Sequence, residues 1–247
     1  MPSEAGSVRA AAGVLITRPE PAAQDTARRV AALGLVPILA PMLAIRPLSH
    51  VVLSVAGVQA VLVTSANALP ALGAALHGVP VLAVGDATAE RTRAAGFADV
   101  TSAGRDAAAL ARLVSRCCTP GGGALLLPTA RGEGLFLAGQ LRAAGFAVRR
   151  RAVYVAAPQK VFPAAAAVAL SRRTVGAALF FSPATARNFC RLLRAAMPPD
   201  CLAAVDALVL SAAVGAPLAS LPWRRIRVAA RPDQDALLTL LADMIDE

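Results

Sequence analysis

Residues 60–76 read AVLVTSANALPALGAAL, and residues 177–193 read AALFFSPATARNFCRLL. Each is an apolar run, a turn carrying small hydroxyl residues, and then a stretch with helical spacing. A short apolar run bounded by turn residues and followed by a helix is the signature of a buried parallel strand in an α/β fold. The same device occurs twice in one chain, and other pairs follow it. VLAVGDATA at 81–89 matches ALVLSAAVG at 207–215, and DAAALARLV at 106–114 matches DALLTLLAD at 235–243. VLITRPEP, with AALGLVPIL after it, matches ALLLPTARGEG with RAAGFAVRR. Most of the chain is therefore two related α/β units. A duplication of this length gives two similar domains rather than a solenoid, which needs shorter and more numerous repeats.

The rest of the chain alternates in the same way. VLIT at 14–17 is a strand, QDTARRVAAL at 24–33 a helix stopped by Gly34, and VPILAP a second strand. A strand at 80–84 precedes the helix GDATAERTRAAGF, with Gly96 as its stop. Asp106 caps a helix over 106–118. ALLL at 124–127 precedes the turn PTARGEG and a helix beginning LFLAGQL. Strands are expected at 147–155, 177–181, 205–210 and 226–229, and helices at about 66–76, from SPATA to near Ala196, and over DALLTLLADMI. Between 155 and 177 the chain reads as a Pro/Ala-rich connection. Alternation with short loops argues for doubly wound parallel sheets. The first dozen residues, MPSEAGSVRAAA, read as a loose tail.

Composition narrows the function. The chain of 247 residues is 57% hydrophobic and 4% aromatic, so its cores are built from Ala, Val and Leu. Its net charge of +10 is carried by arginine, with Lys160 the only lysine. An anionic partner is implied. Nucleic acid fits poorly, because the basic residues form no long run and are not interleaved with aromatic stacking platforms. The longest cluster, Arg149–Arg151, ends a strand-like segment. Cys117, Cys118, Cys190 and Cys201 form no C-x-x-C pair, so neither zinc nor a disulfide framework is expected, and free thiols suit a reducing cytoplasm. No secretory leader is expected. The uncharged stretch 47–85 is broken by Pro47, Gln59, Asn67, Pro70 and Pro80, which argues against a membrane span.

The turns are where chemistry is possible. TSAN at 64–67, GDAT at 85–88, ARGEG at 130–134 and SPAT at 182–185 each place backbone N–H groups and a helix N-terminus at a strand end, an arrangement that suits anions. None is a phosphate-binding P-loop or a dinucleotide fingerprint. Ser65 and Ser182 lie outside any nucleophile elbow, and His50 and His77 occupy loop-like positions. Tyr154, the only tyrosine, is either a core aromatic or an acid/base group.

TRPEP at 17–21, VTSANA at 63–68, AVGDATAE at 83–90, RGEG at 131–134 with the following AAGF and VY, and FSPATARNF at 181–189 together resemble the uroporphyrinogen-III synthase family. The resemblance runs in order from about residue 13 to 243. It implies two domains with an active-site cleft between them, the first made of 1–40 and 154–247, the second of 41–153. The two-stranded linker would lie near 39–46 and 150–156, where Pro41, Pro47 and Pro158 fit. It implies cyclisation of hydroxymethylbilane, with loss of water and inversion of ring D, without metal or organic cofactor. Tyr154 is then the candidate acid and Thr88 a second catalytic candidate. Substrate contacts fall to Thr17, Arg18, Thr64, Ser65, Ala66, Asn67, Gly85, Arg131, Gly132, Ser182, Pro183 and Ala184. Arg18 and Arg131 are chosen on chemical grounds to pair with carboxylates.

A monomer is expected, with transient contact to hydroxymethylbilane synthase conceivable for an unstable substrate. One departure stands out: SAAVG at 211–215 replaces a hydroxyl-bearing turn, and Val214 sits where Thr88 sits in the other half. Two competing readings follow. One is a degenerate tetrapyrrole-binding or regulatory protein on the same scaffold; the other is an unrelated two-domain binder of sugar or phosphate. Turnover of hydroxymethylbilane separates the synthase reading from both.

Overall fold

The computed structural model describes residues 13–104 and 106–246; the expected N-terminal tail lies outside them. In chain order the elements are β1 (Gly13–Ile16), α1 (Ala22–Ala32), β2 (Val36–Leu39), β3 (Leu43–Pro47), β4 (Val58–Val63), β5 (Val81–Ala83), α2 (Asp86–Ala94), β6 (Val100–Ser102), α3 (Ala107–Cys117), β7 (Ala124–Ala130), α4 (Leu135–Ala143), β8 (Ala147–Pro158), α5 (Ala164–Ser171), β9 (Val175–Phe180), α6 (Pro183–Ala196), β10 (Asp206–Val209), α7 (Ala212–Gly215), β11 (Arg225–Val228) and α8 (Gln234–Asp246). Among the described residues the chain divides into two compact units. One runs up to Ala44 and resumes at Ala157; the other is Ile45–Ala156.

The first unit holds a five-stranded sheet in the order β11-β10-β9-β1-β2, and the second a six-stranded sheet in the order β3-β8-β7-β4-β5-β6. The internal repeat matches β1 with β7, β2 with β8, β9 with β4, β10 with β5 and β11 with β6. Under that match the two orders coincide: each unit is a parallel sheet of order 2-1-3-4-5, with β3 added at the edge of the second. The pairings of β9, β10 and β11, and of β4, β5 and β6, are likewise parallel. β3 departs from the expected all-parallel sheet. The bonds flanking it, Gln159 N–H to Met42 O and Leu48 N–H to Val153 O, advance in opposite chain senses, so it lies antiparallel to β8.

Burial explains the apolar runs. Along β1, Val14 and Ile16 join one core cluster while Leu15 joins another. β4 divides in the same way, Ala60 and Leu62 to one side and Val61 and Val63 to the other. Both faces of each sheet are covered, as parallel sheets require. In the first unit the packing is led by Phe180, Phe189, Phe162 and Trp223, with edge-on ring contacts at 5.1–5.7 Å.

Three local expectations need correction. The helix expected over 66–76 is two 3₁₀ pieces, Ala66–Ala71 and Ala74–Leu76. Pro70 lacks an N–H and Gly73 separates the pieces, so no α-helical ladder spans them. The turn PTARGEG begins later than expected, because Pro128, Thr129 and Ala130 continue β7 and are buried. The Pro/Ala-rich connection contains α5, whose Ala166, Ala169 and Leu170 enter the core. It was illegible because its alanines show no amphipathic period.

Val214 is buried with Leu218 and Leu221 in the first unit's core. The residue that replaces a hydroxyl at this turn therefore has a packing role.

At the N-terminal end of β10, Asp206 is fully buried and accepts from Arg224 Nε at 2.6 Å and Arg225 Nε at 3.3 Å. Burial by itself raises its pKa, and the two guanidinium groups more than offset this, so the net shift is downward. A carboxylate with a lowered folded pKa contributes stability above its unfolded value, near 4, and loses it as pH falls below that. Asp206→Asn is expected to lower stability at pH 7 by about 1–3 kcal/mol. It should also flatten the decline of the unfolding midpoint below about pH 4. Denaturant titrations of both proteins from neutral to acid pH check this.

Candidate functional site

In an open parallel sheet, ligands gather outside the carboxyl ends of the strands, at the point where strand order reverses. For order 2-1-3-4-5 that point lies between β7 and β4 in the second unit and between β1 and β9 in the first. Many of the predicted site residues fall on the turns that leave these strands.

In the second unit, Thr64–Asn67 follows β4, Arg131 and Gly132 follow β7, and Gly85 and Thr88 begin α2 after the neighbouring β5. Ser65 caps the 3₁₀ turn, its Oγ accepting from Asn67 N–H at 3.3 Å. Gly85 is the extended N-cap of α2, and its carbonyl accepts from Thr88 and Ala89 N–H. Tyr154 lies on β8 beside these turns. Its main-chain carbonyl accepts from Arg131 N–H at 2.8 Å, which ties the RGEG turn to the tyrosine.

Tyr154 is buried, with 5% of the residue exposed. Burial raises its pKa, the nearby Ser65 side chain works against this, the Glu133 carboxylate raises it further, and Asn67 lowers it. The net direction is upward, so Tyr154 stays protonated at neutral pH. A cavity of about 260 Å³, wholly within the second unit, opens beside the phenol and is lined also by Asn67, His50, Val51, Val52 and Pro70.

The RGEG turn is built on two left-handed glycines, Gly132 (φ 85°) and Gly134 (φ 75°). Thr129 Oγ1 and Arg150 Nη1 both donate to the Glu133 carbonyl, at 3.3 and 2.9 Å. A Cβ on Gly134 would stand 2.7 Å from Thr129 Cγ2.

In the first unit, Arg18 follows β1. Its guanidinium donates to Gln234 Oε1 at 2.6 Å and stacks 4.3 Å above the Phe181 ring. Ser182 caps α6, its Oγ accepting from Thr185 N–H, with Pro183 at the first helical position and Ala184 exposed. Thr17 is placed differently from expectation. It is fully buried and its hydroxyl donates to Leu179 O at 2.6 Å, so it joins β1 to β9 instead of facing a ligand.

Sequence reasoning passed over several residues here. Asn188 is buried, and its amide donates to both Met42 O (2.6 Å) and Gln159 O (3.2 Å), pinning the departing and returning chain segments together. His50 lines the tyrosine cavity with a left-handed backbone, φ 62°. Glu133 was legible only as part of a turn. Asn188 and Glu133 lie within the FSPATARNF and RGEG motifs, but only the fold could show which distant groups they meet.

Two open parallel sheets of one strand order, each with polar turns at its switch point, define a two-unit α/β protein of the ligand-binding or enzyme class. The chain belongs to the uroporphyrinogen-III synthase (HemD) family, whose model matches residues 24–239. Among solved structures it is similar to uroporphyrinogen-III synthetase from Helicobacter pylori, with 15% identity over 94% of this chain and 99% of that one, at a TM-score of 0.61. It is also similar to a substituted uroporphyrinogen III synthase from Thermus thermophilus, with 18% identity over 96% and 100% of the two chains and a TM-score of 0.50. At these identities the likeness is one of fold. No curated protein gives a significant sequence match.

Gly134→Ala is expected to destabilise the second unit by about 1–3 kcal/mol, from the left-handed backbone and the contact with Thr129. Thermal unfolding of the variant beside Gly139→Ala, a helical glycine with open space around it, isolates the effect.

Proposed function

We propose that the chain carries out the reaction for which its family is named, converting hydroxymethylbilane to uroporphyrinogen III as a cyclising hydro-lyase. The observation that carries this, beside family membership, is the buried Tyr154 phenol. It lies on β8 close to Ser65 and Asn67 and opens on a cavity.

The reaction needs a proton on the departing hydroxyl. The C–O bond then breaks and water leaves. The ring-D carbon that already bears the bridge to ring C bonds to the freed methylene, giving a spiro intermediate. Its older bond to the bridge then breaks, and the bridge re-bonds at ring D's free α-carbon. Loss of that carbon's proton restores the pyrrole, so that ring D is inverted and the macrocycle closed. A phenol kept protonated by burial supplies that proton at neutral pH. Thr88, at the first turn of α2, is our second catalytic candidate. Thr64, Ser65, Ala66, Asn67, Gly85, Arg131 and Gly132 in one unit, and Arg18, Ser182, Pro183 and Ala184 in the other, are the proposed substrate contacts. Thr17 supports Arg18 from within the sheet.

The substrate has eight carboxylates, and a net charge of +10 favours its capture. Holding a flexible chain with the correct carbon next to the reacting centre is itself a large part of such catalysis. Among the described residues no helix is long and apolar enough to cross a membrane. We place the protein as a monomer in the reducing cytoplasm, in keeping with its four free cysteines, receiving substrate by transient contact with hydroxymethylbilane synthase.

The test is a coupled assay. Porphobilinogen and hydroxymethylbilane synthase are supplied, the protein is added, and the oxidised porphyrin isomers are separated. Isomer III is expected in place of isomer I; isomer I alone from folded protein overturns the proposal. Tyr154→Phe is expected to lower kcat by about 100-fold or more. Because the folded pKa is raised, the donor form persists, and the Tyr154 contribution to kcat should stay level between about pH 7 and pH 9.

A further inference from the structure

Arg149, Arg150 and Arg151 sit in succession on β8, and among the described residues none of the three has a carboxylate partner. Their side chains alternate across the sheet. Arg150 turns to the α4 side, where it donates to the Glu133 carbonyl. Arg149 and Arg151 share the other face and line a cavity of about 180 Å³ with Ser54, Leu53, Val52 and Leu126. Arg149 Nη1 donates to Ala56 O at 2.6 Å, which fixes the segment 48–57 over this face. Arg151 Nη1 donates a long bond, 3.2 Å, to its neighbour's carbonyl, Arg150 O.

Val52 lines this cavity and the tyrosine cavity alike. Arg151 and Tyr154 are three residues apart on one strand, a distance of about 10 Å. Two guanidinium groups in a cavity without a counter-charge call for an anion, and planar carboxylates match guanidinium geometry. A ring seated at Tyr154 leaves its acidic arms, or those of the adjoining ring, within reach of the second cavity.

We propose that Arg149 and Arg151 form a carboxylate subsite for the acidic side chains of the linear tetrapyrrole, fixing which ring lies at Tyr154. This rests on the synthase reading of the Tyr154 site. The subsite binds ground state and transition state alike, so it acts on KM and leaves kcat largely alone.

The test uses the full chain with Arg151→Ala, Arg151→Lys and the double variant Arg149→Ala/Arg151→Ala. Two readouts run in parallel: the coupled isomer assay, and direct titration with uroporphyrin III followed by porphyrin fluorescence. Arg151→Ala is expected to raise KM and the uroporphyrin Kd about tenfold with kcat within twofold. Arg151→Lys should recover part of the loss, and kcat/KM should fall less steeply with salt in the double variant. Isomer III made with KM and Kd within twofold in the double variant overturns the subsite and leaves the synthase reading standing. No isomer III, with uroporphyrin affinity still lost in Arg151→Ala, overturns the synthase reading and leaves the subsite. Absence of both turnover and uroporphyrin binding in the unsubstituted protein overturns both.

Discussion

Parallel strands covered on both faces have nowhere along their length to expose a polar side chain. In this chain β1, β4, β9 and β10 alternate their buried apolar side chains between two cores. On these four strands polar chemistry is therefore confined to the ends. Within each sheet it concentrates where the connections diverge, because only there do two neighbouring turns leave a gap between them. The TSAN and RGEG turns in one unit and the TRPEP and SPAT turns in the other occupy that position. The opening repeat has its explanation here: a duplicated sheet duplicates its switch point, and each copy keeps a hydroxyl-bearing turn there.

β8 does three jobs at once. Its first part completes the parallel sheet, its continuation beyond the register shift at Thr129/Ala130 carries Tyr154, and its end leads back to the first unit. The shift advances the strand by one residue relative to β7. It comes just before Tyr154, and bulges often re-aim side chains in this way. Arg131 N–H bonds to the Tyr154 carbonyl immediately after it. The turn and the tyrosine are thus positioned by one main-chain contact rather than by side-chain packing alone.

The two halves have not kept equal roles at every turn. Thr88 stands half-buried at the start of a full helix, whereas Val214 is buried in a one-turn helix that gives way to a 3₁₀ segment. Arg18 is held over Phe181 and bonded to Gln234, an arrangement with no counterpart in the RGEG turn. A duplication supplies two equivalent frames, and later substitution is free to assign packing to one copy and polar contact to the other.

The sequence by itself determined the alternation of strands and helices, the duplication, the turns that bear hydroxyl groups and the family. Each of these is written in local order: apolar runs of strand length, Gly34 and Gly96 after helices, Asp106 before one, and motifs in a constant succession. It could not show α5, whose alanines carry no period, nor the breakdown of 66–76 into 3₁₀ pieces. Only the tertiary structure decided which polar residues face a cavity and which are spent inside. Thr17 looked like Thr64, yet its hydroxyl closes a strand contact across the sheet. Asn188 looked like an ordinary helix residue, yet it bonds two distant carbonyls. Arg149 and Arg151 looked like a solvated run, yet strand alternation and segment 48–57 place them together in a cavity. Such assignments depend on partners far away in sequence, and no local pattern encodes them.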